Sequence, residues 1–112
     1  MKPLQDRTAI ITGGGRGIGK AIAHAYSKAG ANVVLIGRTP QPIEDAAGEI
    51  TAAGGSALAI PADVSRDEDI ARIVDATLRR FAAIDVLVNN AAIIPASQNL
   101  VDNDPEIGRA HV

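Results

Sequence analysis

The amino-acid sequence predicts an α/β fold, a doubly wound parallel sheet whose four strands alternate with three helices. Short apolar runs that suit strands are followed by stretches in which apolar residues recur every three or four positions. Each connection is long enough to return across one face of a sheet, as parallel neighbours require. The 112 residues, 46% of them hydrophobic, fit a single domain over residues 1–112 with a modest core.

The first unit consists of a strand, a glycine-rich turn and a helix. The β-branched run over 8–12 predicts the strand, and apolar residues at 18, 21, 22, 25 and 29 predict the helix over 18–29. Gly30 can end this helix in a left-handed conformation. The near-continuous apolar run over 32–36 predicts a second strand that is buried on both faces.

The second unit repeats the pattern. Apolar residues at 43, 46, 47, 50 and 53 predict a helix over 42–53 that closes at Gly54-Gly55. The short apolar segment over 57–60 then predicts a third strand.

The third unit opens with Ser65 and Glu68, whose spacing matches a capping box and predicts the start of a helix. The predicted apolar face of this helix consists of Ile70, Ile73, Val74, Leu78 and Phe81. A fourth strand is predicted over 85–89, followed by a loop. The acidic, proline-containing segment 104–106 then predicts the start of one more helix.

Charge and hydropathy exclude several classes of protein. The net charge of −2 and the scattered lysines and arginines argue against a nucleic-acid partner. The longest apolar stretches, such as 33–36 and 86–88, are far shorter than the ~20 residues of a membrane-spanning helix. With no cysteine and no targeting segment in view, we expect a cytoplasmic protein.

The glycine turn from Thr12 to Gly19 lies where bare backbone N–H groups and a helix dipole favour an anion such as phosphate. It does not fit the G-x-G-x-x-G fingerprint, because Ile18 or Lys20 stands where a third glycine is needed. It comes closer to a P-loop, but Ala21 lacks the hydroxyl that binds Mg²⁺. A nucleotide triphosphatase is therefore disfavoured.

The spacing Thr12-Gly13-x-x-x-Gly17-x-Gly19 resembles the short-chain dehydrogenase/reductase family, which implies a Rossmann-type fold and a nicotinamide dinucleotide cofactor. The segment 85–92 supports the resemblance, because it is similar to the family's fourth strand and Asn-Asn-Ala-Gly motif, with Ala92 in place of the usual glycine. The implied cofactor-binding residues are Gly13, Gly15, Arg16, Gly17, Ile18, Gly19, Arg38, Asp63, Val64, Asn90 and Ala91.

The residues after the second strand favour NADP over NAD. A dinucleotide-binding fold usually places there an acid for the ribose 2′-hydroxyl or an arginine for a 2′-phosphate, and this chain has Gly37-Arg38. Arg38 offers a fork of donors to a phosphate, and Arg16 resembles the family's second basic NADP determinant. The alternative is that both arginines are solvated surface charges.

Two further positions gain meaning from the resemblance. Asp63-Val64 looks like the family's Asp-Val step, whose carboxylate contacts the adenine amino group, although alone it fits an ordinary loop carboxylate equally well. In the Asn-Asn pair, one amide can tie strand ends together while its neighbour Asn90 borders the nicotinamide ribose.

The family's catalytic serine and Tyr-x-x-x-Lys segment are not found in these 112 residues. The only tyrosine, Tyr26, lies in the first helix and is followed four positions later by Gly30 instead of lysine. We therefore predict no catalytic residue here and expect a sheet truncated after the fourth strand, inactive alone, with an exposed and aggregation-prone edge. His24, His111 and the acidic run 67–69 show no metal-ligand spacing, so we predict no metal.

The leading hypothesis is the cofactor-binding half of an NADP-dependent oxidoreductase that transfers hydride between the cofactor and a small carbonyl or alcohol substrate. The resemblance implies that the full-length protein forms a homo-oligomer. The alternative is a non-catalytic module that binds NADP(H) and has a regulatory role.

Overall fold

The computed structural model describes residues 2–90, so Ala91, Ala92, His111 and the helix predicted from 104–106 lie outside the described residues. The elements in chain order are β1 (Thr8–Thr12), α1 (Gly17–Lys28), β2 (Asn32–Gly37), α2 (Pro40–Ala52), β3 (Ser56–Pro61), α3 (Asp67–Phe81) and β4 (Val86–Val88). The alternation of strands and helices predicted from the sequence is confirmed, with ends that differ by one or two residues.

The four strands form one parallel sheet in the order β3-β2-β1-β4. In this sheet Ile11 pairs with Leu35 of β2 on one side and with Val88 of β4 on the other. Because every strand runs in the same direction, the turns that follow the strands meet at one edge of the sheet. The predicted binding residues that fall within residues 2–90 lie along this edge, the carboxyl edge.

The helices cover both faces of the sheet, as a doubly wound fold requires. Alternate residues of β2 point to opposite faces, so Leu35 packs with Ile43 of α2 while Val34 packs with Ile73 of α3. The predicted burial of β2 on both faces is confirmed, since Val33 to Ile36 are each exposed by 1% or less. Burial of such side chains stabilises a fold by roughly 1.5–3 kcal/mol each.

Two details of the third unit differ from the sequence prediction. The capping box is wrong, because α3 begins after Arg66 and the Ser65 hydroxyl donates to the Asp63 carboxylate instead. The apolar face is only partly right, since Ile73 is buried but Val74 and Leu78 are exposed. Compared with the predicted orientation, the helix is rotated about its axis, so that the polar residue Thr77 is fully buried instead of Val74 and Leu78.

The short strand β4 is tied to β1 by a side-chain clip at each end. At the amino end, the Thr8 backbone N–H donates to the Asp85 carboxylate over 2.8 Å. At the carboxyl end, the Thr12 hydroxyl accepts a 2.8 Å bond from the Asn90 backbone N–H and lies 3.3 Å from the Val88 carbonyl oxygen. These clips supplement the few ladder bonds that a three-residue strand can make.

Removal of the Thr12 hydroxyl should therefore destabilise the fold. The isosteric substitution Thr12→Val leaves the Asn90 N–H without its acceptor and should lower the free energy of unfolding by about 1–3 kcal/mol, measured by urea denaturation. Thr12→Ser, which keeps the hydroxyl, should lose much less.

Thr77→Val is the matched control. The Thr77 hydroxyl is buried and has no hydrogen-bond partner within residues 2–90, so its removal should leave stability unchanged or raised. Equal losses for Thr12→Val and Thr77→Val would show that the Thr12 clip contributes nothing specific.

Candidate functional site

A cleft of about 300 Å³ opens at the carboxyl edge between the glycine turn and the start of α2. Five of the predicted binding residues line it: Gly13, Gly15, Arg16, Arg38 and Asn90. Gly17, Ile18 and Gly19 form the adjoining first turn of α1. Ile18 is 72% exposed there, although it belongs to the apolar pattern that predicted the helix.

Some backbone N–H groups of the glycine turn donate to β2, whereas those at the start of α1 have no side-chain acceptor in the described chain. The N–H groups of Gly13 and Gly14 both point to the Ile36 carbonyl oxygen, at 2.8 and 3.4 Å, and so fasten the turn to β2. The first N–H groups of a helix lack intrahelical acceptors, and within the described chain no side chain caps α1 and no acid lies in its first turn. The positive end of its dipole therefore remains available to an anion.

Gly19 allows α1 to approach the glycine turn closely. A Cβ at this position would overlap the Gly13 carbonyl oxygen and would lie 2.8 Å from Nδ2 of Asn90. Gly15 has a similar role on the other side, where a Cβ would lie 2.8 Å from the Ile43 backbone nitrogen. Both glycines are thus required by packing, in addition to any close approach of a ligand.

Substitution of Gly19 by alanine should force the turn and α1 apart. We expect Gly19→Ala to lower the free energy of unfolding by about 1–3 kcal/mol, as measured by urea denaturation. Gly48→Ala is the control, because Gly48 lies in α2 with nothing within 4 Å of the added Cβ. This second change should stabilise the protein by about 0.5–1 kcal/mol; a stable Gly19→Ala protein would contradict the packing role.

Arg16 and Arg38 give the cleft its positive charge. Both are exposed, and neither forms an ion pair with any residue of the described chain. The other arginines of residues 2–90 have partners: Arg7 with Asp85, Arg66 with Glu68, Arg72 with Asp69, Arg79 with Asp75, and Arg80 with the ring of Phe81. Three arginines of residues 2–90 thus have no carboxylate partner there, and two of them, Arg16 and Arg38, line the cleft.

The start of α2 completes the cleft through residues that the sequence reasoning missed, namely Thr39, Pro42 and Ile43. A helix N-terminus directly after the second strand was the available signal, because such termini attract anions. Here, however, Pro40 and Pro42 have no N–H to donate. The first turn of α2 consequently offers few backbone donors.

Asp63 and Val64 follow β3 at the same edge but do not line the cleft itself. The Asp63 Oδ1 atom accepts 2.6 and 2.9 Å hydrogen bonds from the Ser65 hydroxyl and the Ser65 backbone N–H. The bond from the Ser65 hydroxyl, followed by the bond from its backbone N–H, is the main cause that lowers the pKa of Asp63 below 3.8. The positive charge of Arg38 lowers it further. Asp63 therefore lies close enough to Arg38, which lines the cleft, for the two charges to interact.

Asp69 of α3 holds the same loop from the other side. Its Oδ2 atom accepts a 2.7 Å bond from the Asp63 backbone N–H, which is the main reason why its pKa is also lowered from 3.8. Arg72 lowers it further and donates a 2.7 Å bond to the Pro61 carbonyl oxygen.

These lowered pKa values predict acid sensitivity. Both carboxylates are ionised above 3.8 and then stabilise the fold; this stabilisation is lost as the pH falls through their lower folded-state pKa values. Urea denaturation should show a falling midpoint over this acid range, with a smaller fall for Asp69→Asn. An NMR titration that gave Asp63 a pKa of 3.8 or higher would contradict the loop geometry.

Other predicted features have structural roles or none that bears on the cleft. His24 contacts Glu49 across α1 and α2, with 3.1 Å between Nε2 and Oε1, and Tyr26 packs against the core. In the described part of the chain, no three His, Cys, Asp or Glu residues are grouped to hold a metal ion. The helices within residues 2–90 are too short or too polar to cross a membrane.

The parallel sheet with a glycine turn between β1 and α1 defines a Rossmann-type nucleotide-binding fold. A family model described as short chain dehydrogenase matches residues 7–109. The chain therefore belongs to the short-chain dehydrogenase family, as its motifs predicted.

Individual relatives agree with this assignment. The chain is 44% identical over 104 residues to human hydroxysteroid dehydrogenase-like protein 2, a match that covers 87% of this chain and 25% of the human protein. It is 37% identical over 102 residues to peroxisomal 2,4-dienoyl-CoA reductase of Arabidopsis thaliana, covering 89% of this chain and 34% of that protein. The chain thus spans about a quarter to a third of the length of these two curated relatives.

Solved structures share the fold. The apo form of glucose dehydrogenase from Caenorhabditis elegans matches with a TM-score of 0.76 and 35% identity, covering 92% of this chain and 43% of that one. A citronellol catabolism dehydrogenase from Pseudomonas aeruginosa PAO1 matches with a TM-score of 0.77 and 35% identity, covering 98% and 46%.

Proposed function

We propose that the cleft binds NADP(H), with the pyrophosphate at the amino end of α1 and the 2′-phosphate between Arg16 and Arg38. The observation that carries this proposal is that Arg16 and Arg38, neither of which has an ion-pair partner in residues 2–90, line the same cleft. A guanidinium group without a carboxylate partner keeps its hydrogen-bond donors for a phosphate.

The glycine turn fits a pyrophosphate. Gly13, Gly15 and Gly17 carry no side chains that would keep a phosphate from the backbone, and the N–H groups of Ile18 and Gly19 lie in the uncapped first turn of α1. Gly37, at the end of β2, supplies no carboxylate. A ribose 2′-phosphate would therefore meet no negative charge at this position.

The two ends of the dinucleotide would lie over the neighbouring strand ends. We assign the adenine ring to Asp63 and Val64 after β3, where the carboxylate can accept a hydrogen bond from the adenine amino group. We assign the nicotinamide ribose to Asn90, which lines the cleft after β4, and to Ala91. This order follows the β3-β2-β1-β4 arrangement of the sheet.

The reaction we propose for the whole protein is oxidation or reduction of a small alcohol or carbonyl compound. Bound NADP(H) would supply or accept the hydride. The names of the relatives, which are dehydrogenases and a reductase, support this class of reaction. The residues of this chain would contribute the binding and orientation of the cofactor, and we assign no catalytic residue to them.

Charge reversal at the proposed 2′-phosphate site tests the cofactor preference. Arg38→Asp should lower the affinity for NADP at least about tenfold, since a hydrogen bond to a charged group is worth about 1.5–3 kcal/mol. The affinity for NAD should stay the same or rise, because the new carboxylate can accept a bond from the 2′-hydroxyl. Calorimetric titration with both cofactors measures the ratio.

Arg80→Asp is the control, with the same charge change in the last turn of α3. It should leave the ratio of NADP to NAD affinity unchanged. An unchanged ratio for Arg38→Asp would overturn the 2′-phosphate assignment, and failure of the unaltered protein to bind either dinucleotide would overturn the proposed function.

A further inference from the structure

The Asp63 carboxylate is held in one orientation by Ser65. Both donors of Ser65, its hydroxyl and its backbone N–H, bond to the same oxygen of Asp63, at 2.6 and 2.9 Å. In addition, the Arg66 backbone N–H donates to the Asp63 carbonyl oxygen over 3.0 Å. A loop carboxylate would otherwise rotate freely, so these bonds fix the plane of this one.

The arrangement leaves the second carboxylate oxygen free to accept. Oδ1 of Asp63 is occupied by the two Ser65 donors, whereas Oδ2 accepts no hydrogen bond from residues 2–90. Ser65 itself is exposed and does not cap α3, whose start shows no side-chain cap within the described chain. Its hydroxyl therefore serves the Asp63 carboxylate instead of the helix.

The backbone of the same loop is fixed from α3. Asp69 accepts the 2.7 Å bond from the Asp63 N–H, and Arg72 donates to the Pro61 carbonyl oxygen over 2.7 Å. The segment that leads out of β3 is thus attached to the first turns of α3 at two points. Ser65 sets the side chain of Asp63, and Asp69 sets its main chain.

We infer that Ser65 and Asp69 are positioning residues that orient the Asp63 carboxylate toward the amino group of the adenine ring. The inference rests on the proposed function, because Asp63 has this role only if a dinucleotide binds. Ser65 and Asp69 bond to Asp63, and we assign them no contact with the ring. Their proposed effect acts through Asp63, so it concerns recognition of adenine and not of the phosphates.

A cofactor analogue separates this role from a merely structural one. Nicotinamide hypoxanthine dinucleotide phosphate carries a carbonyl oxygen in place of the adenine amino group, so its 6-position accepts a hydrogen bond instead of donating one, and its only ring-edge donor is the adjacent N1–H. The unaltered protein should bind NADP on the order of tenfold more tightly than this analogue. Calorimetric titration of the whole protein with both compounds gives the ratio of the two affinities.

Ser65→Ala should lower this ratio by about threefold or more, because one of the two bonds that fix Asp63 is lost. Ser65→Thr, which keeps a hydroxyl, should restore it. Asp69→Ala should lower the ratio as well, whereas Asp67→Ala removes an exposed carboxylate from the same helical turn and should not. A general loss of structure would lower the affinities for both compounds equally and leave their ratio unchanged. An unchanged ratio in Ser65→Ala would therefore overturn the inference.

Asp63→Ala distinguishes failure of this inference from failure of the proposed function. If Asp63→Ala removes the preference for adenine and Ser65→Ala does not, the inference is wrong while the adenine site stands. If Asp63→Ala leaves the preference unchanged, the proposed adenine contact is wrong and the inference falls with it.

Discussion

The contact between Gly19 and the Gly13 carbonyl oxygen is the constraint on which the rest of the site depends. It brings the first turn of α1 against the glycine turn, while the Gly13 and Gly14 amides fasten that turn to β2. The first N–H groups of α1 lack intrahelical acceptors, and they adjoin Gly15 and Arg16, which line the cleft. The packing of α1 and the proposed anion site thus depend on the same missing Cβ, that of Gly19.

The short strand β4 is positioned by the same region. With three residues it has few ladder bonds, and Thr12, the last residue before the glycine turn, fixes its carboxyl end through Asn90. Asp85 fixes the other end. The side chain of Asn90 then lies beside Gly19. The end of β1 and the glycine turn that follows it therefore position the cleft residues relative to both neighbouring strands, β2 and β4.

The sequence predicted the elements whose buried residues recur at regular spacing. It predicted less well the features that depend on contacts between residues far apart in the chain. The β2 run predicted a strand buried on both faces because only a central strand can bury every residue. Ser65 was misassigned because a capping box and a turn around an aspartate use the same residue types. Pro42 and Ile43 were missed because they reach the cleft through the packing of α2 on Gly15. The lack of an ion-pair partner for Arg16 and Arg38 within residues 2–90 likewise depends on where the carboxylates lie in space.

Pro40 and Pro42 have a consequence for how cofactor preference can evolve. With two amides absent from the first turn of α2, the main chain there contributes little to the recognition of a ribose substituent. Under the proposed function, discrimination between dinucleotides falls to exposed side chains such as Arg38 and Thr39, which are not part of the core. Under the proposed function, exchange of one or two surface residues would then change the preference of such a domain between NADP and NAD without lowering its folding stability.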